Sequence, residues 1–317
     1  MALSIRGILK GKKIIITGGA GFVGSNVVEE LAKDNQVLVL DNLHTGNVLN
    51  IDAFLKNEKV TFKQLDVSDI AKCAFVPDVI FHLGMYSSTP MYKEDRNLVH
   101  KVIDGAIQVL EFAKDTKARV VIASSSSVYN GHPVPQKEDM VPKVTDFYTE
   151  ARYEVERLAE LYNKIFGVGT ICMRFFSVYG PREKSKGRFA NLISQFIWDL
   201  QDGKDPVIYG DGQQTRDFIY VKDIVAALVT AAESDKTGVY NVGTGKSHTI
   251  NEMLKKLGEQ MGKKVTPKYI ETPFSNYVMH TCADMSKTKR ELGFVAEHSL
   301  DEGIKITIEH NLKQENR

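Results

Sequence analysis

Tyr148 and Arg152 stand four residues apart in the stretch DFYTEARYEVE, whose pattern predicts a helix, so the two side chains share one face of it. A free tyrosine has a pKa near ~10, and it works as a base around neutrality only if the phenolate is favoured. A cation within about 5 Å favours it by roughly one to three units. The pair is therefore a candidate acid/base centre, with Tyr148 exchanging a substrate proton and Arg152 supplying charge. Arginine keeps its charge more firmly than lysine, but presents it as a wide planar fork rather than a point donor. Tyr153 and Arg157 repeat the spacing.

A second group of residues could hold a dinucleotide. IIITGGAGFVGSNVVEELA reads as strand, glycine turn and helix in immediate succession. Gly19, Gly21 and Gly24 fit G-x-G-x-x-G, while Gly18, Gly21 and Gly24 fit G-x-x-G-x-x-G. Either reading brings the backbone around Phe22 and Val23 close to a pyrophosphate at a helix N-terminus. The next strand, QVLVLDN, ends in Asp41 and Asn42. A carboxylate 17 residues after Gly24 accepts hydrogen bonds from ribose hydroxyls and repels a 2′-phosphate, so NAD is expected rather than NADP. Asp66, in LDVSD, ends a third strand and reads equally as an adenosine contact or a helix cap.

The elements that must position these residues follow from hydrophobic period. The runs KIIITG, QVLVLD, KVTFKQLD, DVIFHLG, RVVIASSS and GTICMRFFSVYG alternate with helical patterns. Leu98, Val102, Ala106, Val109 and Ala113 mark one amphipathic helix, and Ala151, Val155, Leu158, Tyr162 and Ile165 another. Such alternation predicts an α/β fold with a parallel sheet covered by helices. After YGPREKSKGR the pattern changes to loops and helices, with a return to strand character in GVYNVGTG. The expected organisation is a dinucleotide-binding domain over residues 1–180 with a return segment at about 216–247. A smaller, interwoven C-terminal α/β substrate region is expected over about 181–215 and 248–317.

With 41 basic and 40 acidic residues, the net charge of +1 gives no electrostatic case for nucleic acid or an anionic membrane surface. Neither a secretory leader nor a membrane span is apparent, which suggests a cytoplasmic protein. Cys73, Cys172 and Cys282 form no paired motif, and the eight histidines show no ligand spacing, so neither disulfide nor metal site is expected.

The glycine turn, SSSSVY, YTEAR, RFFSVYGP, TRDFIYVKD and ADMSKTKRELGF occur in the order found in extended short-chain dehydrogenase/reductases. Over residues 12 to about 310 the chain resembles these proteins, and more narrowly nucleotide-sugar 4-epimerases of the UDP-galactose 4-epimerase kind. The resemblance implies a doubly wound parallel Rossmann sheet with bound NAD, a nucleotide-sugar substrate such as UDP-glucose or UDP-galactose, and a homodimer through two helices per subunit. It also implies a chemistry in which NAD takes hydride from C4 of the hexose while a tyrosine takes the hydroxyl proton. The flat keto sugar then turns, and hydride returns to its other face.

By position, Ser125, four residues before Tyr129, matches the serine that binds the reacting hydroxyl, with Ser124 and Ser126 as neighbours in the run. Related dehydratases carry Thr-Asp-Glu there, and no acid stands here. Asp41, Asp66 and Val67 would contact adenosine, and Leu83, Gly84 and Met85 would follow the nicotinamide ribose. Arg152 replaces the usual lysine that also binds that ribose, and Glu156 keeps a family glutamate. Asn191, Leu192, Val207, Tyr209 and Arg216 match contacts to the nucleoside diphosphate, and Ser126 lies beside them on the substrate side.

Three family residues are replaced: an asparagine by Ser177, a phosphate-binding arginine by Phe274 and an aspartate by Tyr277. Arg182 or Arg188 would be available to restore charge. Thr281, where some relatives have a bulky tyrosine, would leave room for 2-acetamido sugars. Two other readings share the motifs: a dehydrogenase or dehydratase releasing a keto sugar, and a noncatalytic protein binding NAD or a nucleotide sugar.

Overall fold

A computed structural model describes residues 9–272 and 277–315. Its strands are β1 (Lys13–Thr17), β2 (Gln36–Asp41), β3 (Val60–Gln64), β4 (Val79–His82), β5 (Arg119–Ser125), β6 (Thr170–Phe175), β7 (Ser177–Tyr179), β8 (Val207–Tyr209), β9 (Thr215–Arg216), β10 (Phe218–Tyr220), β11 (Gly238–Val242), β12 (His248–Thr249) and β13 (Lys268–Ile270). The helices are α1 (Phe22–Leu31), α2 (Thr89–Glu94), α3 (Leu98–Thr116), α4 (Phe147–Phe166), α5 (Leu192–Gln201), α6 (Val221–Glu233), α7 (Ile250–Met261), α8 (Ser286–Leu292) and α9 (Leu300–Glu315).

Seven parallel strands form the main sheet in the order β11-β6-β5-β4-β1-β2-β3. Strand residues alternate between two apolar layers. Ile14, Ile16, Val37 and Val39 pack with α1 and α6, whereas Ile15, Leu38 and Leu40 pack with α3 and α4. Burial on both faces explains why these strands read as continuous apolar runs rather than alternating ones. β11 pairs parallel with β6 at the sheet edge. The topology reverses direction between β1 and β4, and the crevice at the carboxyl ends of these two strands is where such sheets bind ligands.

A third apolar cluster joins α5, α7 and α9 through Ile193, Ile197, Met253, Leu257 and Ile304, resting on Phe22, Phe218 and Tyr220. Among the described residues no helix is long and apolar enough to cross a membrane. The periodicity of α4 needs one correction: Ala151 and Val155 are buried, but Ile165, read as part of the same buried face, is 64% exposed in the last turn. Leu161 and Phe166 are exposed beside it.

Candidate active site

The β1 turn and β4 touch at the switch point. Gly18 adopts φ +68°, and a Cβ there would stand 2.6 Å from Gly84 Cα, so both conformation and space require glycine. Thr17 fixes this approach: its Oγ1 accepts from Gly84 N–H (3.0 Å) and lies 2.9 Å from His82 Nδ1. His82 is fully enclosed, and burial followed by the nearby Arg152 charge lowers its pKa to about 3, so the ring stays neutral. A Cβ on Gly24 would strike the Gly18 carbonyl, which explains the third glycine. Helix α1 begins here with no acidic residue in its first turn and no side chain capping its N–H groups. These free donors and the open cradle suit a pyrophosphate.

Gly18, Gly21, Phe22, Val23, Gly24, Asp41, Asn42, Asp66, Val67, Leu83, Gly84 and Met85 all line one cavity around this turn. The Asp41 carboxylate accepts from Ala20 N–H (3.0 Å) and Leu43 N–H (2.8 Å), tying the β2 end to the glycine turn, while its burial pushes the carboxyl upward. Asp66 is a helix cap at the cavity edge. It caps the short helix at 67–73 through Ser68 N–H (3.1 Å), accepts from Asn42 Nδ2 (2.8 Å), and borders the cavity.

Ser87 also borders a second cavity of about 430 Å³, a volume within the range of small-molecule sites. Ser125, Ser126, Tyr148, Ser177, Asn191, Leu192, Tyr209, Arg216 and Thr281 line it. Asp146 starts α4 by accepting Thr149 N–H (2.9 Å), which brings Tyr148 to the cavity on the first helical turn. Asp146 is also the one carboxylate among the described residues of the lining. Asn191 caps α5 through Ile193 N–H (3.0 Å) and donates to Ser177 Oγ (2.9 Å), so the serine in place of the family asparagine is held from across the cavity.

Several expectations change. Val207 does not line the cavity; it is exposed at the start of β8, and the wall is reached only at Tyr209. Arg152 borders neither cavity. Its guanidinium is buried and donates to Tyr86 O (2.7 Å) and Met85 Sδ (2.7 Å), with Cζ 5.1 Å from the Tyr148 ring centroid. Ser124 is removed from the candidate hydroxyl-binding serines, because its Oγ is buried and donates to Glu156 (2.5 Å). Tyr153 and Arg157 face a separate cleft behind α4.

Arg182 is held by Glu29 (3.1 Å) against α1, and Arg188 pairs with Glu94 at the surface (2.7 Å), so neither lines the substrate-side cavity. Arg216 lines it but already donates to Val278 O (2.6 Å) and Thr215 O (2.9 Å), above the Tyr277 ring. Phe274 lies outside the described residues.

The sequence did not single out Asp217, which is wholly buried. It accepts from Thr244 N–H (2.8 Å), Gly245 N–H (3.0 Å) and Ala283 N–H (3.0 Å), tying the two distant segments at 244–245 and 283 to the residue after Arg216. Its signal was the RDF triplet beside Arg216. Lys186, Ser87, Lys93 and His280 were also missed as cavity residues; no local pattern distinguishes them.

The sheet order, the glycine turn at its switch point and the adjoining second cavity define a Rossmann-type dinucleotide-binding protein of the extended short-chain dehydrogenase/reductase kind. The sequence profile of the NAD dependent epimerase/dehydratase family matches residues 14–243, and the chain belongs to that family. It is 34% identical to a Methanocaldococcus jannaschii protein assigned as a UDP-glucose 4-epimerase, over 96% of this chain and 99% of that one. It is 31% identical to UDP-glucuronic acid decarboxylase 1 of Xenopus tropicalis, over 96% of this chain and 73% of that one. Among solved structures, UDP-N-acetylglucosamine 4-epimerase from Methanobrevibacter ruminantium M1, in complex with UDP-N-acetylmuramic acid, superposes with a TM-score of 0.92 at 31% identity, covering 96% of this chain and all of that one.

Proposed function

We propose that the protein epimerises C4 of a UDP-hexose, UDP-glucose and UDP-galactose first, with the 2-acetamido sugars as further candidates through the space at Thr281. NAD, seated in the glycine-lined cavity, supplies a reversible hydride acceptor. Ser125 Oγ would hold the C4 hydroxyl and Tyr148 Oη would take its proton during oxidation at C4, for which the bound cofactor would supply the hydride acceptor. The same tyrosine returns the proton after the keto sugar has turned. Arg152 stands beside Tyr148, its Cζ 5.1 Å from the ring centroid, while the Tyr86 carbonyl holds the fork in place. The family lysine's second task, binding the nicotinamide ribose, therefore passes to other groups of the cavity.

The observation that carries this reading is that two cavities share Ser87 in their linings, with Tyr148 and Ser125 in the second and Asp146, already a helix cap, as its one described carboxylate. No acid stands beside Ser125 at the position where the related dehydratases carry one to protonate the leaving hydroxyl. The test is stoichiometry. Many turnovers per bound NAD, with no lasting absorbance of NADH at 340 nm, are expected of an epimerase; one NADH per product would instead establish a dehydrogenase.

A homodimer formed by α3 and α4 fits the exposed Leu161, Ile165 and Phe166 on α4. Leu161→Lys combined with Ile165→Lys is expected to give monomers in light scattering; an unchanged dimer would place the interface elsewhere.

A further inference from the structure

We propose that Lys186 is the cation that binds the cofactor's diphosphate, reaching it from the loop of the substrate side. The inference rests on placing NAD in the first cavity. Lys186 lines that cavity with its Nζ 5.6 Å from the ring centroid of Phe22, the first residue of α1 and the neighbour of the glycine turn. The other lysine of the lining, Lys101, stands on α3 beside Val102, at the end of the cavity where Asp66 lies. Among the described residues of the lining, only Lys186 therefore adds a full positive charge at the glycine end, where the α1 N–H groups alone would face a dianion.

Its position is built rather than incidental. The Lys186 side chain is 15% exposed and pairs at 3.0 Å with Glu183, whose side chain is 1% exposed. That carboxylate also accepts from Asn191 N–H (2.9 Å) and Ser194 Oγ (2.6 Å), so Glu183 locks the lysine to the start of α5. An ammonium has three donors, and Glu183 engages one, leaving two with which a ligand in the cavity could pair. Charge in PREKSKGR that the sequence offered to the substrate through Arg182 or Arg188 is thus delivered to the cofactor through the lysine between them. Because Asn191 lines the second cavity, the Lys186–Glu183 pair also connects the diphosphate to the wall that receives the substrate.

Calorimetric titration of the cofactor-stripped full-length protein with NAD, ADP and adenosine separates the possibilities. Lys186→Met is expected to weaken NAD and ADP by roughly tenfold or more, the loss of a charge-assisted contact, and to leave adenosine unchanged. Removing the lysine alone strands buried Glu183, so Glu183→Gln with Lys186→Met is the companion variant; it keeps the site neutral and should show the same selective loss. Unchanged ADP affinity, or equal losses for ADP and adenosine in the double variant, would overturn the proposal. Asp41→Ala checks the underlying placement: it should weaken adenosine itself, and unchanged adenosine binding would contradict the cavity assignment rather than the role of Lys186.

Discussion

Tyr148→Phe should lower turnover of a nucleotide-sugar substrate by about 10²–10⁴-fold, the range of a positioned acid/base group, while NAD content stays at the wild-type level. The variant removes one oxygen and leaves the ring, whose edge packs against Tyr92 at 5.5 Å between centroids, so the fold has no reason to change. Tyr92 cannot substitute. Its hydroxyl is turned to the Tyr86 carbonyl (3.1 Å), and burial pushes its pKa far above the ordinary phenol value. The phenylalanine variant should thus retain substrate affinity and lose the chemical step, a fall in kcat rather than a rise in KM. Wild-type turnover from Tyr148→Phe would mean that another group moves the proton.

Glu156→Ala should be the most destabilising single substitution in the neighbourhood, costing roughly 3–5 kcal/mol and lowering Tm on the order of 10 °C. Glu156 accepts from Arg174 Nε (2.8 Å) and Nη2 (2.6 Å), with both side chains only 3% exposed. Arg174 also donates to Tyr129 Oη (2.7 Å), which donates to Asn241 on the return strand β11 (2.8 Å). The alanine variant leaves a guanidinium in the core with its carboxylate partner gone, the costly case for a buried pair. It also frees Ser124, the neighbour of Ser125, so activity at a permissive temperature should fall modestly as well. A variant with unchanged Tm would show that the pair is not the clamp joining α4, β6 and β11. Glu156→Met combined with Arg174→Met should recover much of the loss, because no charge is then stranded.

What was readable in the sequence follows from range. The strands and the glycine turn depend on local period and on steric demands a few residues long, so KIIITGG announces both an element and its use. Glu156 illustrates the opposite case. Its helical position was visible, but its partner lies 18 residues on in a different strand, and no local rule selects Arg174 from the other basic residues. The basic loop failed for the same reason: Glu29 and Glu94 claim Arg182 and Arg188 from distant elements, leaving Lys186 at the cavity. Val207 was placed by position alone, and in the three-residue strand β8 it faces solvent while Tyr209 reaches the cavity. Arg152 was placed correctly on the helix beside Tyr148, but the destination of its fork depended on Met85 and Tyr86, whose carbonyl and sulfur no spacing argument could aim.

Epimerisation at C4 is the centre of the account, and proton NMR of the anomeric signals tests it most directly. The purified protein is incubated separately with UDP-glucose, UDP-galactose and their N-acetyl counterparts. The expected result is growth of the C4 epimer's anomeric doublet toward a common equilibrium from either member of a pair, with no other product. No interconversion in any of the four tubes while NAD is bound, or the appearance of a keto sugar instead, would contradict it.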